Sequence, residues 1–185
     1  MPSKVIDTFA KKVPLEAVRA DLAVLVGVMI AAGFIVKQGD VIGKISASGK
    51  YRRRTHSVTA GAGFADDSTV GHVSDASVFA AGDVLKKADG TLIGTVAVGG
   101  VNAVNNTLTL TANAALDVAA GVDVVASDGS QVAEGISDLE TDGTQDANVP
   151  ALIGGYLNES LLRGLDSTAK AELGGASVAG GIFKF

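Results

Sequence analysis

Apolar and polar residues alternate with a period of two in the middle of this chain, and helical periods appear towards its two ends. Residues 105–113, NNTLTLTAN, set the threonines against Leu108 and Leu110, the pattern of a half-buried strand. Residues 80–96 and 119–136 share a second pattern: Ala-Ala-Gly, a short apolar run, an Asp-Gly pair, then another run reaching a glycine. Asp89-Gly90 and Asp128-Gly129 predict two-residue hairpin turns, which want positive φ at both central positions. Between residues 28 and 51 the text is strand-like, with turns at KQGD (37–40) and ASGK (47–50).

The clearest helical text is at residues 157–175. Asn158 is placed to cap a short turn with Leu161 and Leu162 inward and Gly164 as its stop. Asp166 caps a second helix that buries Ala169 and Leu173 and ends at Gly174-Gly175. The tail GGIFKF places Ile182, Phe183 and Phe185 in a strand suited to tucking into a neighbouring surface. At the other end, the apolar run 22–36 has 15 residues, short of the roughly 20 that a membrane span needs. Asp7, Glu16 and Asp21 upstream do not fit a secretion signal. The run reads as a buried strand entered from a short helix, in which Leu15, Val18, Leu22 and Leu25 follow Pro14 on one face.

Composition sharpens this reading. The 185 residues include 24 Gly and are 47% hydrophobic but 4% aromatic, which suits short strands and tight turns. The absence of cysteine removes disulfides, thiolate chemistry and cysteine-zinc sites. His56 and His72 are too few for a histidine-rich metal site. The net charge of −5 is unevenly spread: residues 1–54 sum to +6 and residues 55–185 to −11. Residues 1–12 have mixed charge and no hydrophobic period, and read as an arm that orders on a partner.

Catalytic spacings are missing. Gly49-Lys50 is followed by Tyr51 and makes no phosphate-cradling loop, and there is no nucleophile elbow. Asp138–Gly143, DLETDG, starts like a calcium loop, but its twelfth position is Val149 where a bidentate Glu is needed. It reads as a solvated acidic loop. No enzyme activity and no cofactor are expected.

The densest chemical feature is the basic knot at Lys50, Arg52, Arg53 and Arg54. Nucleic-acid binding spreads cations over a face with aromatic or amide support. Here Tyr51 is the nearby aromatic, and the residues that follow are strongly acidic. Arginine forks suit carboxylates of a protein partner, so the knot is read as an interface. Strand alternation puts Arg52 and Arg54 on one face and Arg53 on the other.

Two segments carry a resemblance. AGFIVKQGDVIGKISASGKY (32–51) resembles a G-x-V-x-G-K-[IV]-[ST]-x-x-G-K-Y segment, and residues 151–185 resemble a C-terminal strand, Asn-Glu-x-x-Leu turn, Ala-rich helix and Gly-Ile-Phe ending. Together, in this order, they are similar to phage head decoration proteins of the lambda type. The resemblance implies a mainly β chain with short C-terminal helices: a small tulip-like barrel core made of residues 1–64 and 131–185. Residues 65–130 depart from the family pattern and read as an inserted β-module of five or six strands. It implies a homotrimer on the exterior of an icosahedral capsid, made in the host cytoplasm, that binds the major capsid protein and cements the shell against internal DNA pressure. Direct contact with nucleic acid or membrane is not implied. On this reading the basic part faces the shell and the acidic insertion faces solvent. Lys50, Arg52, Arg53, Arg54, Phe183 and Phe185 are the interface residues.

Two other readings stay open. Residues 65–130 suit a glycan- or host-surface-binding module, although Phe79 is the one aromatic there. A tail or other virion part shares the same strand-and-hairpin character.

Overall fold

Some strands follow the period-two pattern, whereas Gly135–Ser137 is buried along its whole length. A computed structural model describes residues 24–156, 159–175 and 183–184. The chain is mainly β, with twelve strands and one α-helix among these residues. It divides into two units: one discontinuous, Met1–Ile42 with Ala133–Phe185, and one inserted, Gly43–Val132.

The inserted unit is a closed antiparallel barrel. Its strands are β4 (His56–Phe64), β5 (Val70–Val73), β6 (Val84–Lys87), β7 (Leu92–Asn102), β8 (Thr107–Leu110) and β9 (Asp123–Ala126), in the order β4-β5-β8-β7-β6-β9. Closure leaves no unpaired edge within the barrel. Alternation fills the interior with Phe64, Val73, Leu85, Ile93, Leu108 and Val124, each at most 1% exposed. Leu108 and Leu110 point inward as the sequence predicts. Asp89-Gly90 does join two paired strands, β6 and β7, but Gly90 alone takes positive φ, at 89°. Its N–H bonds Lys87 O, so the turn closes from Lys87 and is not the two-residue primed type. Asp128-Gly129 is not a hairpin turn. Asp128 O instead accepts from Ser46 N at 2.8 Å, holding the chain's exit from the barrel beside its entrance.

In the discontinuous unit, β11 (Ala147–Tyr156) organises the sheet. It pairs antiparallel with β1 (Val24–Ile30) and β10 (Gly135–Ser137), and parallel with β12 (Phe183–Lys184). β10 also pairs with residues 41–42, the first half of β2 (Val41–Lys44). Val41, Ile136 and Leu152 pack with Ala169 and Leu173 of α1 (Ser167–Gly175) in one core. Asp166 Oδ1 caps α1 by accepting from Ala169 N at 2.7 Å, and Gly164 has φ 73°. Residues 159–161 form a 3-10 turn. Leu162 packs against the core, whereas Leu161 is 41% exposed, contrary to expectation.

Two further expectations are corrected. β1 is not buried on both sides: Val28 and Ile30 are, but Leu25 is 50% and Met29 42% exposed. The insertion runs from 43 to 132, not 65 to 130. The reason is β4, which closes the barrel by pairing with β5 and β9 and so belongs to the inserted unit. The proposed helix through Pro14 and Leu22, the arm at 1–12 and the Asn158 cap lie outside the described residues.

The boundary also redistributes the charge. The inserted unit holds seven Lys/Arg and eight Asp/Glu, and the discontinuous unit eight and twelve. The insertion is nearly neutral, because the arginine knot belongs to it.

Candidate functional site

The arginines sit where the chain enters the barrel unit. β3 (Tyr51–Arg53) follows a turn closed by Ile45 N donating to Lys50 O at 2.8 Å. Alternation along this short strand does what the sequence predicts for the faces: Arg52 and Arg54 go in, at 1% and 4% exposure, and Arg53 stays half-buried.

Their partners differ from those predicted. The Arg52 guanidinium donates through Nη1 and Nη2 to Asp83 Oδ1 and Oδ2, at 3.0 and 2.8 Å. Its Nε donates to Ser130 Oγ at 2.9 Å and lies 3.4 Å from Asp128 Oδ2. Ser130 Oγ donates to Asp128 Oδ1 at 2.5 Å and is 2.9 Å from Thr55 Oγ1. Asp83 is oriented in turn by Ala80 N, which donates to its Oδ2 at 2.8 Å. Arg54 Nε donates to Gln131 O at 2.9 Å. The knot is therefore a clasp within the barrel unit. Arg52 and Arg54 tie the incoming stretch to the outgoing residues 128–131, and Asp83, just before β6, supplies the fork's carboxylate. A buried guanidinium needs such satisfaction, because an uncompensated charge in the interior is costly. The expectation that Arg52 and Arg54 reach carboxylates of another subunit is corrected on this ground: their side chains are buried against their own unit.

Arg53, on the other face, donates through Nη2 to Asp75 Oδ2 at 3.0 Å and through Nη1 to Ser77 Oγ at 2.8 Å. Burial pushes the Asp75 carboxyl up, but the hydrogen bonds from Ser77 and the Arg53 charge outweigh it and hold its pKa below the usual 3.8. Lys50 is half-buried beside the turn, its N–H donating to Ser48 Oγ at 3.3 Å. Phe183 contributes backbone to β12, opposite Gly155. Phe185 lies outside the described residues.

The acidic loop at 138–143 belongs to the discontinuous unit and lines an open cleft with Ile35, Lys37 and Val149. Asp138 is buried, with Gln38 Nε2 donating to its main-chain O at 2.9 Å. Burial raises its pKa above 3.8, partly offset by the Gln38 side chain. Asp142 instead accepts from Thr144 N at 3.0 Å and Oγ1 at 2.8 Å, which lowers its pKa. Asp142 is thus engaged by its own turn, and Asp138 by Gln38. Among the described residues there is no group of three or more His, Asp or Glu side chains placed to hold a metal ion. His56 Nε2 lies 3.2 Å from Asp123 Oδ1 across the β4–β9 pair. The serine next to it in sequence, Ser57, is engaged with Ser74 Oγ and Asp75 N.

Sequence reading missed Asp83, Asp128 and Ser130 as partners of Arg52. The one signal for them was the Asp-Gly pair at 128–129, which read as a turn. No protein-family model, curated protein or solved structure matches the chain.

Proposed function

We propose that this chain is a structural virion protein that binds the outside of an icosahedral phage capsid as a homotrimer and stabilises the shell against internal DNA pressure. The observation that supports it most is the packing of the two segments that resemble decoration proteins. Val41, from the first, shares one core with Leu152, Ala169 and Leu173, from the second, more than a hundred residues later. The first segment is divided: its residues 32–42 fall in the discontinuous unit with 151–185, and its residues 43–51, which carry the Gly-Lys and Gly-Lys-Tyr part of the motif, fall in the inserted unit. With Arg52 and Arg54 engaged in the barrel clasp, capsid contacts fall to the discontinuous unit.

The experiment is co-sedimentation of the purified chain with expanded empty capsids of its phage, alongside a chain lacking residues 1–12. Saturable binding by the full chain and weaker binding by a still-folded truncation support the reading. No binding by the full chain overturns it.

A further inference from the structure

The barrel is electrically one-sided. Its four consecutive strands β4-β5-β8-β7 contain no Asp, Glu, Lys or Arg, while β6 carries Lys86 and Lys87 and β9 carries Asp123. The uncharged character continues through the β7–β8 connection, so that residues 90–116 hold no ionised side chain. In a chain with 19% charged residues, this leaves four neighbouring strands of a closed barrel neutral, with Asp66 and Asp67 confined to the β4–β5 connection and Asp75 following β5.

That side also presents aliphatic groups to water on fixed backbone. Val98 is 96%, Val104 92% and Val70 41% exposed. Val98 stands on a bulge: Val96 pairs with Leu110 and Val101 with Leu108, so four residues of β7 face one of β8. Gly99 has φ 69°, and a Cβ on Gly100 would fall 2.4 Å from Thr109 O, so the bulge is folded tightly onto β8. Val104 caps the β7–β8 turn, where Asn102 Oδ1 accepts from Val104 N and Asn105 N at 3.1 and 3.0 Å. Asn106 holds the turn with φ 53°. Neither valine can reach the barrel interior, which is already filled.

We propose that this uncharged side of the barrel is a self-association surface on which a second copy of the chain docks. The chemistry narrows the partner. Nucleic acid or an acidic protein needs cations that these strands lack, and a basic protein needs carboxylates that they also lack. A sugar needs aromatic platforms, but the two phenylalanines of this unit, Phe64 and Phe79, are buried. Around a three-fold axis, residues close to the axis meet their own copies, and an uncharged face is where copies of a chain with net charge −5 meet there without repulsion. Short side chains on fixed strands lose little conformational entropy when covered. This deepens the homotrimer proposed above and rests on it.

The test is sedimentation velocity of the full chain over a concentration series, at low and high salt, for the wild type, Val98→Glu, Val104→Glu and Leu25→Glu. Leu25 is the control, an exposed apolar residue of the other unit. The expected result is concentration-dependent association that salt does not weaken. Val98→Glu and Val104→Glu should weaken it about tenfold or more, from like charges facing each other, with unchanged circular dichroism and melting, and Leu25→Glu should not. A wild type that stays monomeric, both valine variants associating like the wild type, or dissociation by Leu25→Glu alone overturns the proposal. Capsid co-sedimentation of the same samples separates the two readings: self-association without capsid binding counts against the virion role and not against this surface.

Discussion

Arg52 and Asp83 form a two-toothed pair, Nη1–Oδ1 at 3.0 Å and Nη2–Oδ2 at 2.8 Å, with the arginine 1% and the aspartate 9% exposed. They are 31 residues apart and join the strand entering the barrel unit to the start of β6. Removing one member of a buried pair strands the other charge, at a cost of about 3–5 kcal/mol. Arg52→Ala should therefore lower the unfolding free energy of the barrel, measured by urea unfolding, by that amount. Arg52→Lys should lose less, keeping the charge but not the fork. The double variant Arg52→Met with Asp83→Asn should recover most of the loss, because Asn retains an acceptor for Ala80 N. A loss below about 1 kcal/mol in Arg52→Ala would put the pair in the class of surface salt bridges.

Asp138 gives a pH dependence of the opposite kind to an ordinary native carboxylate. Burial raises its folded-state pKa above the usual 3.8. Its protonated form therefore favours the fold: the contribution is fully present below 3.8 and is lost as pH rises through the raised value. Asp138→Asn should leave stability unchanged at acid pH and increase it at neutral pH, measured by urea unfolding at both. A variant less stable at neutral pH would show that the carboxylate is needed in its charged form.

What the sequence disclosed and what it hid divide along sequence separation. The inward positions of Leu108, Leu110, Ala169 and Leu173 and the cap at Asp166 depend on residues within a turn or two, and all were legible. The alternation of Arg52 and Arg54 against Arg53 was legible for the same reason. The partners were not. Asp83, Asp128 and Ser130 lie 31 to 78 residues from Arg52, and nothing local distinguishes an arginine that reaches its own barrel from one that reaches another protein. The unit boundary failed similarly. β4, HSVTAGAGF, carries the same small alternating residues as any strand of either unit, and only its pairing with β5 and β9 assigns it to the barrel.

Arg53 and Asp75 predict a weaker and more exposed effect. Asp75 is held below its ordinary pKa although burial alone would raise it, because Ser77 and Arg53 favour the charged form. Stability from this group is present above about 3.8 and is lost as pH falls through the lowered value. Arg53→Ala should move the Asp75 titration upward, as followed by NMR, and cost about 0.2–1 kcal/mol at neutral pH. An unmoved titration would assign the whole shift to Ser77.

Gly71 and Phe64 predict a severe effect from a single methyl group. A Cβ on Gly71 would lie 2.0 Å from the Phe64 ring, and Phe64 is 1% exposed in the barrel core. Overpacking of this kind costs about 1–3 kcal/mol when the neighbour yields. Gly71→Ala should therefore destabilise the barrel by at least that much, and Gly71→Ala with Phe64→Leu should be milder than the two single changes added together. Additive effects in a double-mutant cycle would show that the ring moves aside freely.

The ends of the inserted unit meet. A Cβ on Gly43 would fall 2.1 Å from Ser130 O and 2.6 Å from Val132 O, so the strand entering the barrel unit runs directly against the stretch leaving it. Across the cut, Ile42 O accepts from Glu134 N at 2.9 Å in the discontinuous unit. Adjacent termini are what an inserted domain requires in order to be removed without pulling its host apart. Replacing residues 43–132 by a short Gly/Ser linker should leave a soluble discontinuous unit, and residues 43–132 alone should unfold cooperatively. Gly43→Ala should disturb the junction more than an ordinary Gly→Ala change, because the Cβ meets main-chain oxygens that cannot rotate away. Circular dichroism melting of the linker protein and of the isolated barrel decides the matter. Aggregation of the linker protein, or a non-cooperative melt of the isolated barrel, would show that neither unit folds without the other.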